Sequence, residues 1–227
     1  MLVIWATLAV FFYYASNDAL ISTYLVLFIS VIATIVLWCM LQYRLVNRIE
    51  KVSNNISSMV LDPLTGLANR ALLMEQLAKA LFRAKRSGLL VAVLFLDLDN
   101  LKSVNDVYGH AAGDLMIQVV GQRLGAAIRK HETAARLGGD EFVVVLEDIE
   151  DEQAAEKIKG RLADEIRQPM WASQQEFNPS ASIGMALYPR DGETPGQLLR
   201  VADVAMYVAK HVCKQMARAT LSPGLVQ

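Results

Sequence analysis

Cysteine is scarce in this chain of 227 residues: there are two, Cys39 and Cys213. One falls inside an uncharged apolar stretch and the other lies near the C-terminus, so they do not pair. Neither belongs to a C-x-x-C or Cys/His spacing that would hold zinc. An excess of charge of either sign is also missing. The formal net charge is -1, and with 54% hydrophobic residues the chain is neither disordered nor a polybasic nucleic-acid binder. Internal repeats and low-complexity tracts do not occur. Neither do the G-x-x-x-x-G-K-[ST] of a P-loop or a G-x-G-x-x-G following a strand. The chemistry must then come from oxygen ligands.

Charged residues are absent altogether from 19–43, a stretch of about 25 residues that suffices to cross a bilayer as a helix. Arg44, Arg48 and Lys51 follow at once and assign this end of the span to the cytoplasm, with Trp38 and Tyr43 as interfacial anchors. The opening segment MLVIWATLAVFFYYAS is apolar over about 16 residues, which is short for a full span. It has no basic n-region and no A-x-A-like site, which argues against a cleaved signal peptide. The expectation is a membrane segment at 1–43, with a short first helix at 1–15, a tiny external loop without a sensory domain, and a second helix at 19–43. In the helical linker at 44–61, Leu45, Ile49, Val52, Ile56 and Met59 recur in the a/d rhythm of a parallel coiled coil. The alternative is an amphipathic helix lying on its own domain. Pro63 limits the helix, because the residue before proline is pushed out of the α region.

From residue 62 the hydrophobic period alternates. NRALLMEQLAKALFRAKRS places Leu73, Leu77, Ala80, Leu81 and Ala84 on one helical face. LLVAVLFLDLD is a continuous apolar run, a buried strand ending in Asp97 and Asp99. GDLMIQVVGQRLGAAIRK is helical again. AARLGGDEFVVVL is a hairpin, since Gly138 and Gly139 accept positive φ between two β-prone runs. A helix at DEQAAEKIKGRLADEIRQ, a strand at SASIGMALYP and a last helix opened near Pro195 complete the order α-β-α-β-β-α-β-α. This predicts one α/β domain with a mostly antiparallel sheet.

Asp140 and Glu141 stand side by side at the hairpin tip, where adjacent carboxylates repel unless a cation lies between them. A strand ending LDLDN and a tip GGDE can be neighbours in one sheet, which would bring Asp97 to Asp140. Two carboxylates with a backbone carbonyl suit Mg²⁺, a hard cation that keeps waters and bridges phosphates. Taken one at a time these residues have plainer readings. Asp97 can cap a turn, Asn105 can cap the helix that follows, and His110 can serve packing.

Four blocks in order, DPLTGLANR, LDLDNLKSVNDVYGHAAGD, ARLGGDEF and SIGMALYPRDG…ADVAMYVAK, make the chain from 62 to 214 resemble the GGDEF family of diguanylate cyclases. The resemblance implies a fold like the palm of nucleotidyl cyclases and polymerases: an α/β domain with a mostly antiparallel central sheet flanked by helices, here preceded by N-terminal transmembrane helices. The implied domains are a GGDEF domain at 62–217 and a tail at 218–227. It further implies Mg²⁺-dependent (or Mn²⁺-dependent) condensation of two GTP into cyclic di-GMP with release of pyrophosphate. A homodimer whose subunits meet face to face would do this at the bacterial inner membrane, its GGDEF domain facing the cytoplasm. Carried over position by position, Asp97, the carbonyl of Leu98 and Asp140 resemble the family's metal ligands. Asp140, Glu141 and Lys102 resemble its catalytic groups, and which of the two acids takes the proton is left open. Asn105 and Asp114 resemble its guanine readers, with His110 between them, and Lys210 and Lys214 its phosphate contacts.

Three departures qualify the resemblance. Lys214, in HVCKQ, stands where the family has an arginine after a glycine, and a point charge replaces a planar fork. Arg129 and Glu132 replace the R-x-x-D of an inhibitory product site, so product inhibition is expected to be weak or lost. Leu101 replaces a phenylalanine. Two readings follow: an active membrane-bound cyclase, favoured by the intact acids, lysines and asparagine, or a catalytically silent module that binds GTP or a protein.

Overall fold

The computed structural model describes residues 7, 10, 13, 19–172 and 175–220, those at 19–22, 24, 45–59, 172, 213, 214 and 216–220 by their backbone alone. The chain forms two compact units, Met1–Ser57 and Ser58–Gln227. Helix α1 spans Ala19–Val60. Within it Leu25–Arg44 is the one stretch among the described residues long and apolar enough to cross a membrane, with a mean hydropathy of 2.5 over its window. Its apolar side chains, Leu27, Phe28, Leu37 and Trp38 among them, are exposed. The first expected span, 1–15, lies outside the described residues apart from Thr7, Val10 and Tyr13, and so do the side chains of the expected seam at Leu45, Ile49, Val52, Ile56 and Met59.

In the second unit the order is α2 (Arg70–Ser87), β1 (Leu90–Leu98), α3 (Leu101–Tyr108), α4 (His110–Ala127), β2 (Thr133–Gly138), β3 (Glu141–Ile149), α5 (Glu152–Arg167), β4 (Met170–Ala172), β5 (Gln175–Phe177), β6 (Ala181–Tyr188) and α6 (Pro195–Thr220). The main sheet runs β2-β3-β1-β6 with every pairing antiparallel, and β4-β5 is a separate hairpin. β1 is a continuous apolar run because both of its faces are covered. Ala92, Leu94, Leu96 and Leu98 meet Met116 and Val120 of α4 and Leu162 and Ile166 of α5. Val91, Val93 and Phe95 meet Leu73 and Leu77 of α2 and Leu198 and Met206 of α6. The alternation is that of a strand between two helical layers, and each fully buried Leu or Val contributes about 1.5–3 kcal/mol.

Helix ends follow local chemistry. The Asn69 side chain accepts from the N–H groups of Ala71 and Leu72 at 2.9 and 3.1 Å, Asp151 accepts from Ala154 at 2.7 Å, and Pro195 is the first residue of α6. Two elements differ from expectation. The segment after Asp99, to which the order read from the sequence assigned no element, is helix α3, parted from α4 at Gly109 (φ 83, ψ 164). The β4–β5 hairpin was not anticipated, because strands of three residues are too short to display a period of two.

α6 lies on β6 at Gly184, where a Cβ would come within 2.1 Å of both the Ala202 carbonyl oxygen and the Met206 nitrogen. Those are backbone atoms and cannot swing aside. Gly184 pairs with Phe95, and two residues along the same strands Ser182 pairs with Asp97, so this close approach sets the height of α6 above the end of β1. Gly184→Ala is expected to lift α6 and to destabilise the fold by about 1–3 kcal/mol. Urea unfolding measures this, and an unchanged midpoint would show that the helix accommodates the methyl freely.

Candidate active site

The site is assembled where the end of β1 meets the β2–β3 hairpin. Gly138 (φ 145) and Gly139 (φ 54) adopt backbone angles that side chains disfavour, which lets the chain reverse within the two residues Gly139 and Asp140. The register pairs Asp97 with Glu141, and the Leu98 N–H donates to the Asp140 carbonyl at 3.0 Å. Asp97 and Asp140 are thus brought together, as expected from the sequence. Asn100, at φ 61, turns the chain from β1 into α3 with only the Asp99–Asn100 turn between them.

Charge at this end of the sheet is mostly negative. The Lys210 ammonium donates to the Asp97 carboxylate, both side chains being largely withdrawn from solvent. Burial raises the Asp97 pKa; the Lys210 bond opposes this, and the charges of Asp140 and Asp99 add to the rise. Burial likewise pushes Glu141 up, followed by the charges of Asp140, Asp203 and Asp97, while Arg70 acts in the opposite direction. Asp99 has a different role from Asp97. Its two oxygens accept from the Ser180 and Ser182 hydroxyls, each at 2.9 Å, and tie the end of β1 to the start of β6.

Helices α3 and α4 present the remaining candidates. Asn105 packs against Gly113, where a Cβ would stand 1.9 Å from Asn105 Oδ1. That oxygen is buried and has no hydrogen-bond partner among the described atoms, the condition of an acceptor kept for a ligand. His110, the first residue of α4, and Asp114, one turn further on, are exposed, as is Lys102 on the first turn of α3, and no described bond links Lys102 to the acids. The Lys214 side chain lies outside the described residues. At the candidate product site Arg129 is exposed, whereas Glu132 is 9% exposed and its Oε2 accepts from the Arg129 backbone N–H at 2.6 Å.

Arg136 joins two of the sequence blocks, a role that sequence reasoning missed. Its Nη1 donates to both oxygens of Asp62 at 3.1 and 3.2 Å, and its Nε and Nη2 donate to the Gly139 carbonyl at 3.1 and 2.9 Å. Asp62 also accepts from the N–H and hydroxyl of Thr65. Asp203 and Arg70, which bear on Glu141, were missed as well. All three lie inside the quoted blocks, but spacing along the chain does not tell which of a block's charges face the same point. Burial alone would raise the Asp62 pKa; the Thr65 bonds and then Arg136 outweigh it and hold the carboxyl below its ordinary value. A lowered carboxylate stabilises the fold above its unfolded pKa and loses that contribution as pH falls through the folded one. Asp62→Asn should therefore lose about 1–3 kcal/mol at neutral pH. Its deficit against wild type should close in melting curves as the pH falls below the ordinary carboxylate range, and a deficit constant across pH would exclude the charge as its source.

The donor set fits a hard divalent ion. Asp97, Asp140 and the Leu98 carbonyl offer oxygen alone, at a point where carboxylates repel one another and a lysine supplies the countercharge. Among the described residues no three His, Cys, Asp or Glu side chains group so as to hold a metal ion by themselves, so an ion bound to Asp97 and Asp140 would take its remaining ligands from waters or phosphate oxygens.

Comparison with known proteins identifies the family of this domain. Residues 59–215 match the family model described as diguanylate cyclase, GGDEF domain. A bifunctional diguanylate cyclase/cyclic di-GMP phosphodiesterase of Pseudomonas aeruginosa, MucR, is 49% identical over 66% of this chain, and the diguanylate cyclase TpbB of the same species is 39% identical over 69%. The chain covers 22% and 36% of the lengths of those two relatives. Among solved structures, a sensory box/GGDEF family protein from Caulobacter crescentus superposes with a TM-score of 0.65 at 42% identity, over 67% of this chain and 98% of that one. The coiled coil and GGDEF domain of DgcB from Caulobacter crescentus, in complex with c-di-GMP, gives 0.65 at 25% identity over 80% of this chain and 95% of that one.

Proposed function

The chain belongs to the GGDEF family of diguanylate cyclases, and we propose that it condenses two GTP into cyclic di-GMP with release of pyrophosphate, as a homodimer holding one GTP in each subunit. The observation that carries this reading is the convergence of Asp97, Asp140 and Lys210 at one end of the sheet, with the unpartnered Asn105 oxygen on the adjoining helix. The 3′-oxygen of each GTP attacks the α-phosphorus of the other, so two ester bonds form and two pyrophosphates leave.

In this reading Asp97, the Leu98 carbonyl and Asp140 hold Mg²⁺ or Mn²⁺. The metal, when bound, neutralises the triphosphate and makes the attacking hydroxyl more acidic. Lys210 balances Asp97 in the substrate-free chain and is placed to turn its ammonium to the phosphates, with Lys102 and Lys214 as further cations. Asn105 and Asp114 read the guanine edge, the amide meeting its acceptors and donors and the carboxylate its N–H groups. Asp140 or Glu141 takes the hydroxyl proton. The raised pKa of Glu141 suits a group that accepts one.

The same proposal places α1 in the bacterial inner membrane with the GGDEF domain, 62–217, in the cytoplasm and 44–61 as a coiled-coil linker. It also holds product inhibition to be weak. The Glu132 carboxylate is engaged with its own loop, accepting from the Arg129 backbone N–H. The altered HVCKQ segment favours the second reading, a silent module that binds GTP or a protein, and cyclic di-GMP production from GTP and Mg²⁺ by the purified chain separates the two.

Asp140→Ala is expected to lower synthesis by about 10²-fold or more while the circular dichroism spectrum stays that of the wild type. Retention of most turnover would remove Asp140 from the metal. Activity should also depend on dimerisation. In vesicles of falling protein-to-lipid ratio the specific activity is expected to drop, and to drop sooner when Ile49 and Val52 are both replaced by lysine, which sets like charges in an apolar seam. Equal activity per molecule at every density, for both proteins, would make the linker a passive spacer.

A further inference from the structure

The β4–β5 hairpin takes no part in the main sheet, and neither the catalytic acids nor the phosphate contacts need it. It is fastened at two points. At its root, Arg123 of α4 donates from Nη1 to the carbonyls of Ile166 and Gln168 at 2.9 and 2.6 Å, and from Nη2 to that of Pro169 at 2.8 Å. On its return strand the Phe177 ring meets the Tyr108 ring edge to face, with centroids 4.9 Å apart and planes at 85°.

Both fastenings are to the helices that carry Asn105 and Asp114. Tyr108 is the last residue of α3, and Gly109 is the break between α3 and α4. Asn105 stands about one turn before that break and Asp114 about one turn after it. The distance between the two base readers therefore follows from the angle at Gly109, and a glycine restricts that angle less than any other residue. Asn105 packed on Gly113, and Leu101 and Val104 packed on the core, hold part of that angle, and the hairpin adds a contact at the break itself. Phe177 bears on the last side chain before the break, Arg123 grips the hairpin from beyond it, and a hairpin with strands this short needs such support itself.

We propose that the β4–β5 hairpin braces the base site, and that Phe177 is a positioning residue which, through Tyr108, sets the angle between α3 and α4 and with it the affinity and selectivity for GTP. The inference rests on Asn105 and Asp114 being the guanine readers.

The test uses the full chain in detergent micelles. Phe177→Ala is expected to raise KM for GTP roughly 3- to 10-fold with kcat within about twofold of wild type. It should also narrow the preference for GTP over inosine triphosphate, which lacks the 2-amino group. Phe177→Tyr keeps the ring and should restore both values. The double variant Phe177→Ala/Tyr108→Ala should be no worse than Tyr108→Ala, since both changes remove one contact. Calorimetric binding of a GTP analogue with a methylene between the α- and β-phosphorus, which cannot release pyrophosphate, should repeat the affinity loss without turnover. A folded Phe177→Ala protein with wild-type KM overturns the brace, as does a fall in kcat at unchanged KM or strictly additive effects of the two changes. Should Phe177→Ala fail to fold, Phe177→Leu keeps the apolar volume, loses the ring edge and is judged by the same criteria. If the unmodified chain does not bind the analogue, the guanine reading itself fails and the brace falls with it.

Discussion

Pairing of Asp97 with Glu141 across β1 and β3 determines which carboxylates meet at the end of the sheet. A slip of one residue would turn each acid to the opposite face and expose Leu94, Leu96, Val144 and Leu146 to the wrong layer. Because both faces of β1 and β3 are buried, the apolar side chains on both sides enforce the same register. The packing that stabilises the domain is therefore also what forces like charges together. Burial and neighbouring charge raise the pKa of Asp97 and Glu141, so the free site holds a local electrostatic penalty that a bound cation relieves.

Elements from three directions then close on that point. α6 can reach it because Gly184 lets the helix backbone touch β6, and Lys210 arrives one turn beyond Met206. Arg136 ties the hairpin tip to Asp62, the residue that follows the end of the long helix by two positions. α3 follows β1 after a turn of two residues because Asn100 accepts a left-handed conformation. Each of these is a constraint on backbone position near the end of β1.

Much of this was legible in the chain as a string. The helical face of α2, the buried run of β1, the Gly-Gly hairpin, the start of α6 at Pro195 and the meeting of Asp97 with Asp140 all follow from period, turn chemistry and order of elements. Less legible was the division of labour between two acids of one strand. Asp97 and Asp99 are equivalent in LDLD, yet two serine hydroxyls from β6 claim Asp99 and a lysine from α6 claims Asp97.

By itself the sequence determined the elements and their hydrophobic faces, the apolar span of α1, and the family motifs, because each rests on residues near one another in the chain. Only the tertiary structure decided that Arg136 clamps Asp62 to Gly139, that Gly184 admits α6, that Glu132 turns inward to its own loop, and that a small hairpin bears on Tyr108. Apart from the local turn at Glu132, these are contacts between residues distant in sequence, fixed by the close packing of layers in three dimensions. No local period or propensity encodes which of several available charges or rings will face one another there.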